Sequence, residues 1–375
     1  MNLIIYESSS FGGCYNYSIE LFKAYKANEL VNKCSLILPW KSNYRGIGVA
    51  HLLLNDRTFN FPLISKFLFL FRQCLNPIIL FFYLLFRPVS IVILNDFEQT
   101  TAFLWAPLYR LFLRKHRFAV VLHDPDRDAY PPSKSFSEFN MKQLMAAMHL
   151  ALYHEFLPDK SYYKPNGKTK YLSVPHGIYP PAPIDRELFQ WLLRQKPADN
   201  YLVISILGNI RSEKNYQLAI DALCSFPDLI LLIAGSPANS EVNTSVLKQQ
   251  AQTNGVSDRI IWIEKFLSDS EMSASIEASD IILLNYSSSF TSQSGILNQV
   301  APFKKKLIVS NLHSGLTSLI KKFELGILCE PDSLDGLQIA VQTALESPVS
   351  IPAWDNYITF ASWDNHINIV LQNIH

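Results

Sequence analysis

The chain has 375 residues, 49% hydrophobic and 17% charged, with a formal net charge of +1. That length predicts two domains with a core each, the apolar content excludes a disordered chain, and the near-balance of charge argues against nucleic acid as the main partner. The five cysteines, Cys14, Cys34, Cys74, Cys224 and Cys329, are scattered without CxxC spacing, which speaks against zinc or redox motifs and fits a reducing cytosol.

Leu3 to Tyr6 opens the chain as an apolar run with no basic stretch ahead and no small-residue cleavage site behind, so it reads as a buried strand and not as a signal peptide. Ser8-Ser9-Ser10-Phe11-Gly12-Gly13 follows, then the helical run Tyr15 to Lys26. Gly12 and Gly13 would let the backbone approach a ligand, and the N–H groups at the helix start attract an anion; a simple tight turn is the other reading.

After a second strand, Ser35 to Leu38, comes an unusual segment from Phe61 to Arg87. Its apolar runs, Phe67 to Phe71 and Pro77 to Phe86, are separated by Arg72-Gln73-Cys74-Leu75-Asn76, and neither reaches the roughly 20 residues needed to span a bilayer. From Arg57 to Arg117 there are eight Lys or Arg (Arg57, Lys66, Arg72, Arg87, Arg110, Arg114, Lys115, Arg117) against Asp96 and Glu98, a local excess of +6. A basic, aromatic-rich apolar surface suits an anionic membrane face. The alternative is a pair of buried helices with outward charges.

Strands Ser90 to Leu94 and Phe118 to Leu122 come next, the latter delivering His123 and Asp124 at its carboxyl end, where open α/β sheets bind ligands. Asp124, Asp126 and Asp128 form an Asp-x-Asp pattern that could hold magnesium or manganese. Pro125, Arg127 and the trailing Tyr130-Pro131-Pro132 favour a solvated turn instead. Tyr171 to Val174 closes this series, and the proline cluster Tyr179-Pro180-Pro181-Ala182-Pro183 reads as a linker.

A second series, Leu202 to Leu207, Leu229 to Ala234, Ile260 to Ile263, Ile281 to Leu284 and Leu307 to Val309, repeats the alternation of strand and helix. Directly after its first strand, Leu207-Gly208-Asn209-Ile210-Arg211-Ser212-Glu213-Lys214 sets Arg211 and Lys214 three residues apart at a helix start, where a planar fork and a point charge can act together on a diphosphate. A surface salt bridge among Arg211, Glu213 and Lys214 is the other possibility. Ser292-Gln293-Ser294-Gly295 leads into Ile296-Leu297-Asn298-Gln299, a small-residue turn whose free N–H groups would meet phosphate, or an ordinary start capped by Ser292 or Ser294.

Together these segments resemble the retaining GT-B glycosyltransferases that build bacterial glycolipids and surface polysaccharides, a glycosyltransferase family 4-like group. The resemblance runs from Gly12-Gly13 through His123-Asp124-Pro125, Val174-Pro175-His176-Gly177, Gly208 with Arg211 and Lys214, Leu232-Ile233-Ala234-Gly235, Ile276-Glu277-Ala278-Ser279-Asp280 and Ser292-Gln293-Ser294-Gly295 to Phe360-Ala361-Ser362-Trp363. It implies two doubly wound Rossmann-like domains facing an interdomain cleft: residues 1–183 for the acceptor, 184–350 for the nucleotide sugar, and 351–375 as a helix crossing back to the first domain. It further implies that His123 touches the donor sugar, that Arg211 and Lys214 hold its diphosphate, and that Gly12, Gly13, Gly208, Gln293, Ser294, Gly295, Ile296 and Gln299 line the donor site.

No metal or other cofactor is expected. The implied partners are a nucleotide sugar, a lipid-linked or glycan acceptor and an anionic membrane surface, without nucleic acid, which puts the protein in the cytoplasm, peripheral on the inner face of the cell membrane. One departure stands out: the family commonly places two glutamates eight positions apart where this chain has Thr291 and Gln299. Gln299 can still accept one hydrogen bond from a ribose hydroxyl but loses a charge-assisted one, a difference on the order of 1 kcal/mol. A catalytically inactive GT-B partner or lipid-binding protein, and a nucleotide-sugar epimerase, are the competing expectations.

Overall fold

A computed structural model describes residues 1–55, 62–128, 133–164, 168–237 and 242–374. Arg57, Phe61 and the turn 130–132 lie outside the described residues. The chain divides into two compact units, Met1–Gly177 with Ala361–His375, and Ile178–Phe360.

The first unit runs β1 (Asn2–Tyr6), α1 (Gly13–Ala27), β2 (Lys33–Pro39), β3 (Val49–Leu53), α2 (Pro62–Leu85), β4 (Ile91–Leu94), α3 (Ala102–Phe112), β5 (Arg117–Leu122), α4 (Lys134–Ala147), β6 (Leu150–Tyr153) and β7 (Lys170–Ser173). Among the described residues its strands form one parallel sheet in the order β3-β2-β1-β4-β5-β6-β7. Successive side chains of a strand point to opposite faces, and both faces are covered. Ile4, Tyr6, Val92, Leu94, Val120 and Leu122 pack with residues of α2, α3 and α4. Leu3, Ile5, Ile93, Ala119 and Val121 pack with α1 on the other side. Double coverage is why these strands read as continuous apolar runs rather than alternating ones.

The second unit runs α5 (Arg186–Arg194), β8 (Leu202–Leu207), α6 (Tyr216–Ala222), β9 (Leu229–Ala234), α7 (Thr244–Thr253), β10 (Ile260–Ile263), α8 (Asp269–Glu277), β11 (Ile281–Leu284), α9 (Gly295–Val300), β12 (Lys306–Ser310), α10 (Gly315–Phe323), β13 (Ile327–Cys329), α11 (Leu334–Glu346) and α12 (Ile351–Phe360). Its parallel sheet has the order β10-β9-β8-β11-β12-β13. In each sheet the strand order reverses once, between β1 and β4 and between β8 and β11, and ligands of doubly wound folds bind beyond the carboxyl ends of strands at that point.

Three expectations are corrected. The apolar runs of 67–71 and 77–86 are not separate: all but the last residue, Phe86, belong to the single helix α2, because nothing in Arg72-Gln73-Cys74-Leu75-Asn76 breaks a helix and Pro77 is accommodated inside it. Lys66–Leu85 is therefore long and apolar enough to cross a membrane by length and composition. The division falls between Gly177 and Ile178, ahead of the proline cluster rather than within it. The closing segment also splits: α12 stays with the second unit, where Trp354 and Tyr357 are buried and Tyr357 donates to Asn298 Oδ1 at 2.7 Å.

The last helix, α13 (Trp363–Asn373), joins the first unit. Ser362 caps it, and Ile367, Val370 and Leu371 pack on the α1 side of the sheet. A Cβ on Gly177 would land inside the Trp363 indole. Gly177→Ala is therefore expected to destabilise the first unit by about 1–3 kcal/mol through overpacking, read as a lower denaturant midpoint. An unchanged midpoint would mean that Trp363 is free to move away.

Candidate functional site

In the second unit, β8 ends at a left-handed turn: Gly208 has φ +81°, and a Cβ there would press on Ile296 and stand 3.5 Å from Lys214 Nζ. Gly235, after β9, is held by an equally close approach, since a Cβ would overlap the Gly208 carbonyl. These two glycines let the β8–α6 loop fold back over the strand ends. Lys214 is thereby only 7% exposed, and its ammonium donates to the Leu207 carbonyl at 2.5 Å rather than to Glu213. Burial, with Arg211 nearby, pushes its pKa down to about 7. Arg211 itself is exposed. A buried ammonium against a neutral carbonyl is a costly arrangement that an anion would relieve.

The loop after β11 is stitched to this one. Asp332 accepts from Asn215 Nδ2 at 2.8 Å and from the Ser288 amide at 3.0 Å, and the Ser287 amide donates to the Glu213 carbonyl at 2.7 Å. Ser294 stands at the cap position of α9, yet its hydroxyl pairs with the Tyr286 hydroxyl at 2.9 Å instead of capping the helix. Space is open at Gly295, and Ile296 closes on Gly208. The side-chain oxygens of Gln293 and Gln299 are buried with no hydrogen-bond partner. Native interiors rarely leave such groups unpaired, so each of these two carbonyl oxygens is free to accept a hydrogen bond from a bound ligand.

In the first unit, Gly12 (φ +89°) precedes α1, and side-chain space is open at both Gly12 and Gly13. His123 leaves the end of β5 and its Nε2–H donates to Asn95 Oδ1 at 2.9 Å. Asn95 in turn donates through Nδ2 to the Cys14 carbonyl at 2.9 Å and to the Glu7 carboxyl at 2.6 Å. Burial, then the neighbouring Asp96, pushes the Glu7 pKa well up, and burial pushes that of His123 well down, so the imidazole is neutral at ordinary pH. The edge of Tyr17 packs on the His123 ring, with centroids 4.5 Å apart.

Asp126 and Asp128 are bridged by Lys160 at 2.9 and 2.7 Å, and Asp128 also meets Tyr162 and Lys134. The Asp-x-Asp carboxylates are thus spent on cationic neighbours in a turn.

The structure brings Gly208, Lys214 and Ile296 together in the second unit, and places Gly12, Gly13 and His123 at strand ends of the first. Sequence reasoning missed Glu7 and Asn95, which orient His123. Each is the first residue after an apolar strand, β1 and β4, and that position was the available signal.

Residues 190–359 match the family model described as Glycosyl transferases group 1. No curated protein matches the chain by sequence. Among solved structures, HepE of Anabaena in complex with UDP superposes with a TM-score of 0.67 at 14% identity, covering 99% of this chain and 98% of that one. A sucrose-phosphate synthase of Thermosynechococcus elongatus gives 0.71 at 13% identity, covering 99% and 97%. WaaG, a glycosyltransferase involved in lipopolysaccharide biosynthesis, gives 0.57 at 14% identity, covering 99% and 98%.

Proposed function

We propose that this chain, whose residues 190–359 match the model of the group 1 glycosyl transferases and whose whole length takes the GT-B fold, transfers a sugar from a nucleotide diphosphate sugar to a lipid-linked or glycan acceptor with retention of configuration. The observation that carries this reading is Lys214, a buried ammonium that donates to the Leu207 carbonyl behind the left-handed turn at Gly208, where Ile296 of the α9 start closes in. The UDP bound by HepE supports a nucleotide diphosphate as the donor's carrier.

In the proposed reaction Arg211 and Lys214 hold the diphosphate, Ser294, Gly295 and Ile296 meet it through the backbone, and His123 addresses the sugar. The acceptor hydroxyl forms its new bond to the anomeric carbon on the face from which the nucleotide departs, while the bond from that carbon to phosphate oxygen breaks. The departing phosphate oxygen takes the hydroxyl proton. Catalysis then consists of positioning and of stabilising charge on the leaving group, and it calls for no metal. The enzyme works in the cytoplasm, peripheral on the inner membrane face, through the exposed aromatics of α2 and α3.

The test is thermal unfolding against uridine, guanosine and adenosine diphosphate sugars, since a ligand that binds only the folded state raises the melting temperature; NMR of the product from the effective donor then reads its anomeric configuration. If no donor shifts the melting temperature, the transferase reading fails. An inverted product overturns retention.

Gln299 is assigned to the ribose, where its unpaired oxygen would accept from a hydroxyl. Gln299→Glu should keep or strengthen donor binding, and Gln299→Leu should weaken it by about 1 kcal/mol, roughly fivefold. Equal affinity of the leucine variant and the parent in calorimetry would remove Gln299 from the site.

A further inference from the structure

We propose that His123, His154 and His176 form a binding site for a divalent late first-row metal ion, zinc above the others. The sheet itself assembles the three. β5, β6 and β7 are adjacent and parallel, and their last residues lie level, Leu122 opposite Tyr153 and Tyr153 opposite Ser173. His123 follows Leu122, His154 follows Tyr153, and His176 stands three residues past Ser173. Three neighbouring strands thus deliver one imidazole each to the same end of the sheet, with one ring nitrogen from each lying within 4.8 Å of the others.

The hydrogen bonds of His154 and His123 set their tautomers in the sense a metal needs. His154 Nδ1–H donates to the Val174 carbonyl at 3.0 Å, which leaves its Nε2 with a lone pair. That Nε2 is buried and meets no hydrogen-bond partner, on a residue only 5% exposed. His123 donates through Nε2–H to Asn95 Oδ1, whose orientation is set because Asn95 Nδ2 faces the Cys14 carbonyl, so the lone pair of His123 is on Nδ1. His176 Nδ1 lies 3.4 Å from the Gly177 carbonyl. The His123 and His154 rings therefore each give their proton to a carbonyl or amide oxygen and keep one lone pair, the outer-shell arrangement found behind metal-bound histidines.

Tyr17 packs its ring against His123 and His176, with centroids 4.5 and 5.0 Å apart, and so restrains both. Burial holds all three imidazoles neutral at ordinary pH, that of His176 with a pKa pushed down to about 4. No proton must then be displaced before binding. Three imidazoles without carboxylate select zinc and its neighbours over magnesium or calcium, which demand oxygen, and they leave a fourth position open.

Because His123 is also the residue assigned to the donor sugar, metal and sugar contend for it. This consequence rests on the transferase reading, whereas the site does not. A metal here restrains donor use rather than serving the chemistry.

The experiment uses the untagged full-length protein, stripped with chelator, incubated with ZnCl2 and separated from free ion before zinc is counted. The expected result is about one zinc per chain in the parent and in the distant control His51→Ala. Since outer-shell partners alone alter metal affinity by about 10–100-fold, His154→Ala and His176→Ala should each bind about 100-fold more weakly or worse in competition with a chromogenic chelator. Co2+ in place of zinc should give the parent the visible absorption of a low-coordinate site, a reading that requires no variant to fold. Failure of the parent to retain zinc or to develop the cobalt spectrum overturns the proposal, as does zinc retention by folded His154→Ala equal to the parent's. Donor binding by the metal-free protein is measured separately, so loss of one result leaves the other standing.

Discussion

Replacing Lys214 by methionine is expected to weaken nucleotide-sugar binding by about 1.5–3 kcal/mol, roughly 10- to 150-fold, while leaving the melting temperature at neutral pH unchanged or higher. The two effects have one cause. The Lys214 ammonium is buried against the Leu207 carbonyl with its pKa lowered to about 7, so the free protein carries it at a cost that a bound diphosphate would relieve. Arg211, exposed at the loop tip, should show a loss in the same range on replacement by alanine, without a change in stability. Retained affinity in both variants would remove the diphosphate from this loop.

The pH dependence follows with a definite sign. Binding requires the charged lysine, so above about pH 7 the donor must bring a proton with it, and affinity should fall by up to about tenfold per pH unit. Between pH 7 and the unperturbed lysine value near 10.4, the unfolded chain holds the proton that the native chain has released. Lys214 therefore makes the ligand-free protein more stable as pH rises through that window. Lys214→Met should flatten both profiles, and a parent whose donor affinity is level from pH 6.5 to 8.5 would contradict the assignment.

The second large effect concerns the membrane. The first unit exposes Phe67, Phe69, Leu70, Phe71, Phe82 and Phe86 on or beside α2, the last at 85% exposure, and Leu108, Leu111 and Phe112 on or beside α3. The two helices meet, as Phe81 packs edge-on against Phe112. The opposite side of α2 is fastened to the domain: Leu80 and Leu84 are in the core, Asn76 accepts from the Leu54 amide and donates to Glu98, and the Tyr109 hydroxyl donates to the Pro77 carbonyl. A helix so tied on one face is suited to lie on a bilayer rather than cross it.

Arg110, Arg114, Lys115 and Arg117 are exposed beside this face, and Lys115 also closes the end of α2 by donating to the Leu85 and Arg87 carbonyls. Each basic residue near an anionic surface is worth roughly 1 kcal/mol. The triple change of Arg110, Arg114 and Arg117 to glutamine, which spares Lys115, should then weaken co-sedimentation with phosphatidylserine vesicles by about 100-fold. High salt should weaken the parent's binding too, as the attraction is screened over about 10 Å at 0.1 M. Replacing Phe67, Phe71 and Phe82 by serine should abolish binding at any salt. A parent that stays in the supernatant at low salt would make the exposed aromatics a protein-docking face and the acceptor soluble.

The fold class was legible in the sequence because doubly covered parallel strands must be nearly all apolar, and such runs stand out between amphipathic stretches. Ile91–Leu94, Leu229–Ala234 and Ile281–Leu284 are wholly buried and were visible for that reason. Gly208 was legible as well, since a left-handed turn against Ile296 tolerates little else. What the sequence obscured was short or at an edge. β3 and β13 border their sheets and are only partly buried, and β6, four residues long, is separated from α4 by only two residues and merges with its pattern. The continuity of α2 was hidden by a polar interval that helix geometry tolerates and composition does not reveal.

The site divided in the same way. By itself the sequence determined the local chemistry: a glycine turn, two cations and a serine-glycine helix start, each encoded within a few consecutive residues. Only the tertiary structure decided that Lys214 is buried, that Glu7 and Asn95 stand behind His123, and that His123, His154 and His176 converge. The physical reason is the parallel sheet. It sets side by side the ends of strands that are tens of residues apart in the chain, and the desolvation that changes a lysine or a histidine depends on everything folded around it and not on its neighbours in sequence.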